Sequence, residues 1–133
     1  MKRFIGRTPC VVLAAALFVA SAWTHAQVAS FDCRQASTPT ERAICSSAAL
    51  GQKDVVVTTY YQLLLRLKPA MAGMAYREFD DGIRNGQRQW LQHDRDACGD
   101  DATCLGHAYD RRIDALLKTF DANAALTFGR SAG

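Results

Sequence analysis

The sequence predicts an all-α fold, a small bundle or hairpin of about four helices that is stapled by disulfide bonds. Apolar residues recur at spacings of three, four and seven along most of the chain, which is the period of an amphipathic helix. Four cysteines in two close pairs also remain once an N-terminal export signal is set aside. Small exported domains with an even number of cysteines are typically held together by disulfides.

Residues 1–26 have the organisation of a cleavable signal peptide. Basic residues near the N-terminus precede an uncharged apolar run from Val11 to Ala22. The tripeptide Thr24-His25-Ala26 then places small residues at the two positions that determine cleavage, so we expect a cut after Ala26 and a periplasmic or secreted protein. Cleavage after Ala22 is a second option. A retained membrane anchor is disfavoured, because the apolar run is shorter than the ~20 residues of a spanning helix.

The expected mature chain is formally neutral. The signal peptide holds three of the 16 lysines and arginines and none of the 13 acidic residues, so 13 residues of each sign remain. This balance argues against nucleic acid as a partner, since binding to it depends on surplus positive charge that faces phosphates. We assign residues 27–120 to one helical domain and residues 121–133 to a C-terminal tail that frays, because the helical pattern is lost there.

The first two helices are predicted from their caps. Thr38-Pro39-Thr40-Glu41 combines a threonine N-cap, a proline at the first helical position and a glutamate at the third, which together make a capping box. This helix ends near Cys45, and Ser46 or Ser47 can cap a second helix over 48–67. The β-prone run 55–60 is assigned to that helix because helix-period residues flank it on both sides. The apolar face of the second helix comprises Leu50, Val57, Tyr61 and Leu64.

Two further helices follow Pro69 and Gly73, which end the second one. The third is predicted over 74–97 and the fourth over 102–120. Gly99 suits the left-handed position between them, and Asp100 or Asp101 can cap the fourth helix. The predicted apolar faces are Tyr76, Phe79, Ile83 and Trp90 in the third helix, and Leu105, Tyr109, Ile113, Leu116 and Phe120 in the fourth.

The four cysteines outside the signal peptide allow three pairings. We favour Cys33–Cys45 and Cys98–Cys104, because the members of each pair are near in sequence and each bond can fix a helix end. Zinc would require closer cysteine pairs and often a histidine pair, which neither spacing provides. The sequence also lacks a P-loop, a dinucleotide fingerprint and a zinc-protease motif, so we expect no cofactor and no metal.

Three runs occur in order along the mature chain: Asp32-Cys33 with Glu41 to Cys45, then Gln87 to Leu91, then Cys104 to Ile113. In combination with the cysteines, and with Asp54 in the second helix, they resemble the LprI-type lysozyme-inhibitor domain, a family of small exported bacterial helical modules. The likeness extends from about Phe31 to Lys118. Two positions depart from the family pattern. An arginine that usually follows the tryptophan by four residues stands one residue later, at Arg95, and Lys53 replaces a leucine.

The resemblance implies a periplasmic or surface module, and lysozyme inhibition is attributed to the family. It brings no established set of inhibitory residues. We expect structural roles for the motif residues, with Trp90 and Leu91 in the core and Arg88 in a salt bridge or at a helix end. A binding role for Arg88 or Trp90 is the alternative. The motif residues are Glu41, Arg88, Trp90, Leu91, Tyr109 and Arg112.

The turn between Cys98 and Cys104 is the predicted partner-binding element. An inhibitor of lysozyme has to occlude a cleft with two catalytic carboxylates, and a stapled loop does so at low entropic cost. Acidic residues around the turn suit the basic surface of many lysozymes, and a nearby donor would have to face the carboxylates. The candidate binding residues are Asp100 and Asp101 as acids, and His93, Arg95 and His107 as donors. Helix capping and a solvated face are the alternative explanation for the acids.

We therefore expect a binding protein rather than an enzyme, with a protein partner for which lysozyme is the first candidate. The alternative is an envelope interaction module without inhibitory activity, and its large apolar face could also support dimerisation. An enzymatic reading of His93-Asp94 is disfavoured. The pair is similar to that of secreted phospholipases, but no glycine-rich calcium loop precedes it, and adjacent helical residues point about 100° apart.

Overall fold

The computed structural model describes residues 28–67 and 76–128. All regular secondary structure in these two stretches is helical, and they contain no strand. The α-helices are α1 (Pro39–Ser46), α2 (Ala48–Leu64), α3 (Tyr76–Trp90) and α4 (Ala102–Phe128). The all-α prediction with about four helices is confirmed. The expected signal peptide and its cleavage site lie outside the described residues.

The helices α2 and α4 form the centre of the bundle and run in the same direction. Asp54 meets Tyr109 near the start of the contact, and the rings of Tyr60 and Phe120 meet further along both helices, 6.4 Å apart. The helix α3 runs antiparallel to α4, since Gln87 faces Arg112 while Trp90, later in α3, faces Tyr109, earlier in α4. The described helices thus form a three-helix bundle to which the short α1 is attached.

The starts of α1 and α2 follow the predicted caps. The Thr38 hydroxyl oxygen accepts the Glu41 N–H at 3.1 Å, and the Glu41 carboxylate accepts the Thr38 N–H at 3.0 Å. Backbone N–H groups of Thr38 and Ser37 stabilise the charged form and so lower the pKa of Glu41. Of the two candidate serines, Ser47 caps α2 by accepting the Leu50 N–H. These ends are local features, which is why the sequence specifies them.

The end of the third helix differs from its prediction. A single helix to residue 97 is wrong, because α-helical geometry stops at Trp90 and a π-helical turn covers Leu91–Arg95, followed by a 3₁₀ turn at Asp96–Cys98. A π-turn places one more residue in each turn than an α-helix does. Gly99 then takes the positive φ expected of it, at 58°. The predicted start at residue 74 lies outside the described residues.

The fourth helix is longer than predicted. The expected end at about 120, with a frayed segment from 121, is wrong for residues 121–128, which continue α4 to Phe128. This stretch contains three alanines and no glycine or proline, so its helix propensity is sufficient without an apolar stripe. The Asn123 side chain also donates to the Thr119 carbonyl oxygen at 2.8 Å. Residues 129–133 lie outside the described part of the chain.

The core follows the predicted helix faces with one exchange. Tyr61, expected on the core face of α2, is only half-buried, and its neighbour Tyr60 packs against the core instead. Positions three and four residues after Val57 border the same face, so the period alone does not decide between these tyrosines. The buried members of the predicted faces are Leu50, Val57, Leu64, Trp90, Leu105, Tyr109 and Leu116, and Ile44 of α1 joins them. The Tyr76 side chain lies outside the described residues.

Both favoured disulfides are present. Cys33 pairs with Cys45, with Cα atoms 5.7 Å apart, and joins a 3₁₀ turn at Cys33–Gln35 to the last turn of α1. Cys98 pairs with Cys104, with Cα atoms 5.6 Å apart, and closes the turn between α3 and α4. Each bond therefore fixes the end of a helix, as predicted.

The segment before Cys33 lies directly on α2. Ser30 binds Asp54 through its backbone N–H and its hydroxyl group, and Ala29 is buried in the core. Gly51 allows this approach, because a Cβ atom there would overlap the carbonyl oxygen of Val28. The requirement at Gly51 is thus for small volume under a crossing backbone, a use of glycine distinct from its conformational freedom.

We expect Gly51→Ala to lower the free energy of unfolding by about 1–3 kcal/mol, since backbone must move to admit the methyl group. Gly82→Ala is the matched control in α3, where a Cβ atom has nothing within 4 Å. That change should raise stability by about 0.5–1 kcal/mol through helix propensity. Urea unfolding monitored by circular dichroism measures both values. A stabilising effect at both glycines would show that the close approach of Val28 does not constrain residue 51.

Candidate functional site

The turn from Cys98 to Cys104 leads into α4 and is closed by the disulfide between these two cysteines. One carboxylate oxygen of Asp101 accepts the N–H groups of Thr103 and Cys104, both at 2.9 Å, and so caps α4. The Asp100 and Asp101 residues are both exposed. Asp101 therefore has the structural role that was the alternative explanation for the acids, while its exposure leaves it accessible to a partner.

The two candidate histidines lie on either side of this turn in the sequence. His93 is on the π-helical turn and His107 is in the second turn of α4, and both are exposed. Their imidazoles are accessible to an approaching carboxylate. Each imidazole can donate a hydrogen bond through a ring N–H group.

Arg95 occupies a different environment from the histidines. Its side chain is only 14% exposed, and its Nε donates to the Asp96 carboxylate at 2.8 Å. The guanidinium also interacts electrostatically with Tyr109 and Asp54 in the core. The structure thus does not bring Arg95 to the surface with the other two candidate donors.

The π-helical turn gives a physical account of the displaced arginine. In a π-turn the residue five positions along occupies roughly the angular position that the residue four along has in an α-helix. Because Leu91–Arg95 is π-helical, Arg95 reaches inward although it is five residues after Trp90. The second departure from the family pattern, Lys53, forms an ion pair with Asp110 that links α2 to α4.

A buried carboxylate joins three parts of the chain. Asp54 in α2 is 4% exposed, and one of its oxygens accepts the Tyr109 hydroxyl of α4 at 2.8 Å. The other oxygen accepts the backbone N–H of Ser30 at 2.8 Å and its hydroxyl at 2.5 Å. Burial, and then the Asp54 charge, raise the pKa of Tyr109. The hydroxyl therefore stays protonated and donates a hydrogen bond to the carboxylate. With both oxygens occupied, the group stabilises the fold and offers no reactive site.

The sequence contains a signal for part of this network. Asp54 lies between Leu50 and Val57 at spacings of four and three, which places a carboxylate on the apolar face of α2. A buried carboxylate requires hydrogen-bond donors, and a tyrosine on the facing helix is a suitable one. The Ser30 donors come from an irregular segment, and no periodic pattern indicates their position.

Trp90 forms a second layer of the α3–α4 contact. It is 6% exposed, its indole Nε1 donates to the Ala108 carbonyl oxygen at 3.2 Å, and its ring meets Tyr109 edge-on at 5.3 Å. The Arg112 guanidinium lies 5.9 Å from the ring centroid, a cation–π distance. Leu91 is half-buried against the same core.

Arg88 lies outside this layer. It is exposed in the last turn of α3, where its guanidinium donates to the Asn85 side chain at 2.8 Å. Within the described stretches Arg88 forms no ion pair, so the expected salt bridge is absent. Its expected position near a helix end is confirmed. Glu41 completes the capping box of α1 described above.

The described residues contain no cluster of three or more histidines, cysteines, aspartates or glutamates that could hold a metal ion. Among the helices of residues 28–67 and 76–128, none is long and apolar enough to cross a membrane. Around the turn, the described surface presents exposed aspartates and histidines.

Comparison with known proteins gives one informative match. The sequence model of the family described as lysozyme inhibitor LprI matches residues 33–125, which include both disulfides, the Trp90 layer and most of α4. No curated protein and no solved structure matches the chain significantly. Because the match covers well over half of its length, the chain belongs to the lysozyme inhibitor LprI family.

Proposed function

We propose that this protein is an exported inhibitor of lysozyme, which acts by binding in the active-site cleft and performs no catalysis of its own. The observation that carries the proposal is membership of a family described as lysozyme inhibitors. The organisation of residues 1–26 as a signal peptide supports export to the compartment where a lysozyme would be met.

The closed turn between α3 and α4 supports occlusion of the cleft as the mechanism. The Cys98–Cys104 bond removes freedom from the loop before binding, so less entropy is lost on association. Asp100 and Asp101 are exposed there and can guide the turn to the basic surface of a lysozyme. His93 and His107, which are exposed, are the better candidates to face the catalytic carboxylates, since Arg95 is directed into the core.

An envelope interaction module without inhibitory activity is the second candidate, and one observation favours it. The large apolar residues Val55, Val56 and Leu63 of α2 are between 37% and 41% exposed. They lie on one side of the helix, at a spacing of seven or eight, away from the contact with α4. Such a row is suited to another protein surface and is not needed for occlusion of a cleft.

A cell-wall clearing assay tests the leading proposal. The oxidised exported protein is titrated against animal c-type, goose-type and invertebrate-type lysozymes, with the reduced protein as a control. We expect saturable inhibition of at least one type near a one-to-one ratio, weakened by salt and lost on reduction. Absence of inhibition of all three types would reject the inhibitor function and leave the interaction module.

Two matched double variants test whether the turn makes the contact. Asp100→Asn with Asp101→Asn removes two charges and retains a residue able to cap α4. Asp114→Asn with Asp121→Asn removes the same charge from exposed positions further along α4. We expect the first pair to weaken inhibition about tenfold at low salt and the second to have little effect. Equal inhibition by both double variants would contradict the turn-centred mechanism.

A further inference from the structure

A surface groove between α3 and α4 contains an arginine that the proposed inhibition does not use. The groove has a volume of about 340 Å³, near the lower end of the range for small-molecule sites. Trp90, Ala108 and Ala115 supply apolar surface, and the charged side chains that line it are Asp94, Arg111 and Arg112. With two cations and one anion, the groove has a formal charge of one positive unit.

Arg112 is half-buried and lacks an anionic partner within the described residues. Its Nε and Nη2 donate to the Gln87 side-chain oxygen at 3.1 and 2.9 Å, and its Cζ lies 5.9 Å from the centroid of the Trp90 ring. No carboxylate of the described stretches lies within 4.0 Å of it, although Asp94 is near enough to stabilise its charge. Burial lowers the pKa of the Arg112 guanidinium, which reflects the cost of a partly dehydrated cation.

The remaining N–H donors of Arg112 lie next to a glycine of α3, Gly86. A Cβ atom built on Gly86 would lie 3.9 Å from both Nη1 and Nη2 of Arg112. Gly86 is therefore close to both of the Nη atoms of Arg112. Glycine adds no side chain at this point, and Gly86 and Arg112 both line the groove. An arginine presents such parallel N–H groups to a planar carboxylate with two hydrogen bonds.

We propose that this groove binds the carboxylate group of a small acid or of a peptide C-terminus, with Arg112 as its anchor. A carboxylate carries one negative charge, which matches the net charge of the groove. It would supply the counter-ion that Arg112 lacks and reduce the cost of burying the cation. The apolar surface of Ala108, Ala115 and Trp90 suits the short carbon chain or the methyl side chains attached to that carboxylate.

Nuclear magnetic resonance of the ¹⁵N-labelled exported protein tests the proposal directly. The Arg112 Nε–H and the Trp90 indole N–H report on the groove, because the first binds Gln87 and the second lies beneath the guanidinium. The probes are acetate, N-acetyl-alanyl-alanine and the neutral amide of the same dipeptide, at constant ionic strength. We expect saturable shifts with a Kd on the order of 1 mM for the dipeptide acid and none for the amide.

The two acids distinguish the sources of the carboxylate. Equal affinity for acetate and the dipeptide acid would assign the groove to small free acids, and preference for the dipeptide would assign it to peptide termini. Both results support a carboxylate site. Shifts of equal size with the neutral amide, or no shift with either acid, would overturn it.

Substitutions distinguish a carboxylate-binding role of Arg112 from a purely structural role. Gly86→Leu should fill the space next to Arg112 and weaken binding at least about tenfold, since charge-assisted hydrogen bonds are lost. Gly82→Leu is the matched control one turn earlier in α3, where a Cβ atom meets nothing within 4 Å, and it should leave affinity unchanged. Equal affinities for Gly86→Leu and the unmodified protein would contradict the proposal.

Two further substitutions should change the affinity for the carboxylate in opposite directions. Arg112→Lys keeps the positive charge but removes the fork, so it should also weaken binding about tenfold. Asp94→Asn removes the competing anion at the exposed rim and should tighten binding severalfold, an effect that a damaged fold would not produce. Unchanged affinity in both variants would show that Arg112 does not anchor the carboxylate.

Discussion

Asp54→Ala is expected to lower the free energy of unfolding by about 3–5 kcal/mol. The substitution removes an acceptor from a buried tyrosine hydroxyl and from two Ser30 donors at once. Each buried polar group that loses its partner costs about 1–3 kcal/mol, and Tyr109 cannot reach water because it is fully buried. The loss should therefore exceed that from removing any single exposed ion pair of this protein.

Chemical denaturation of the oxidised protein, followed by circular dichroism, measures this effect. Asp114→Ala is the control, because Asp114 is an exposed aspartate on α4 and its removal should change stability by less than about 0.5 kcal/mol. Asp54→Asn should lie between them, since an amide can still accept from Tyr109 but brings its own N–H₂ toward the Ser30 donors. A loss below about 1 kcal/mol for Asp54→Ala would mean that water or a rearranged segment satisfies these groups.

The elements that the sequence predicts correctly depend on local geometry. The capping box at Thr38 and Glu41 involves residues within one helical turn, so its spacing is visible in the chain. Gly99 and the nearby pair Cys98–Cys104 are local in the same way. The helix faces are predictable because burial repeats with the helical period, although the period does not separate Tyr60 from Tyr61.

The features that sequence reasoning missed depend on contacts between distant segments. Nothing in the five residues Leu91–Arg95 indicates a π-turn by itself, and its effect becomes clear only where Arg95 meets Tyr109 and Asp54. The carboxylate network requires Ser30, an irregular residue 24 positions before Asp54. The groove likewise depends on Gly86 facing Arg112 across two helices, a pairing that a glycine within a helical pattern does not reveal.

Among the candidate binding residues, too, some features were predictable from local sequence and others depend on contacts between distant segments. The closed turn that carries Asp100 and Asp101 was predictable, because it follows from two nearby cysteines and a glycine. The separation of the donors into exposed histidines and a largely buried Arg95 was not, since it follows from the π-turn. A charge pattern thus identifies a set of candidates, and the packing of α3 against α4 distinguishes among them.

Loss of both disulfides is expected to lower the free energy of unfolding by about 5 kcal/mol. In the chain-entropy model the bond Cys33–Cys45, with a sequence separation of 12, contributes about 3 kcal/mol. The bond Cys98–Cys104, with a separation of 6, contributes somewhat less, about 2 kcal/mol. Because native domains have stabilities of about 5–15 kcal/mol, this loss removes a third or more of the total, so the reduced protein should unfold at a much lower urea concentration than the oxidised protein.

Two double variants assign the loss to each bond and separate stability from function. Cys33→Ser with Cys45→Ser should give the larger decrease in the urea midpoint, because it opens the longer loop. Cys98→Ser with Cys104→Ser should give the larger decrease in lysozyme inhibition, measured at a temperature where both variants remain folded. The order of the two effects is thus reversed between the two assays. If inhibition instead followed stability in both variants, the turn would be a structural staple and the inhibitory surface would lie elsewhere on the bundle.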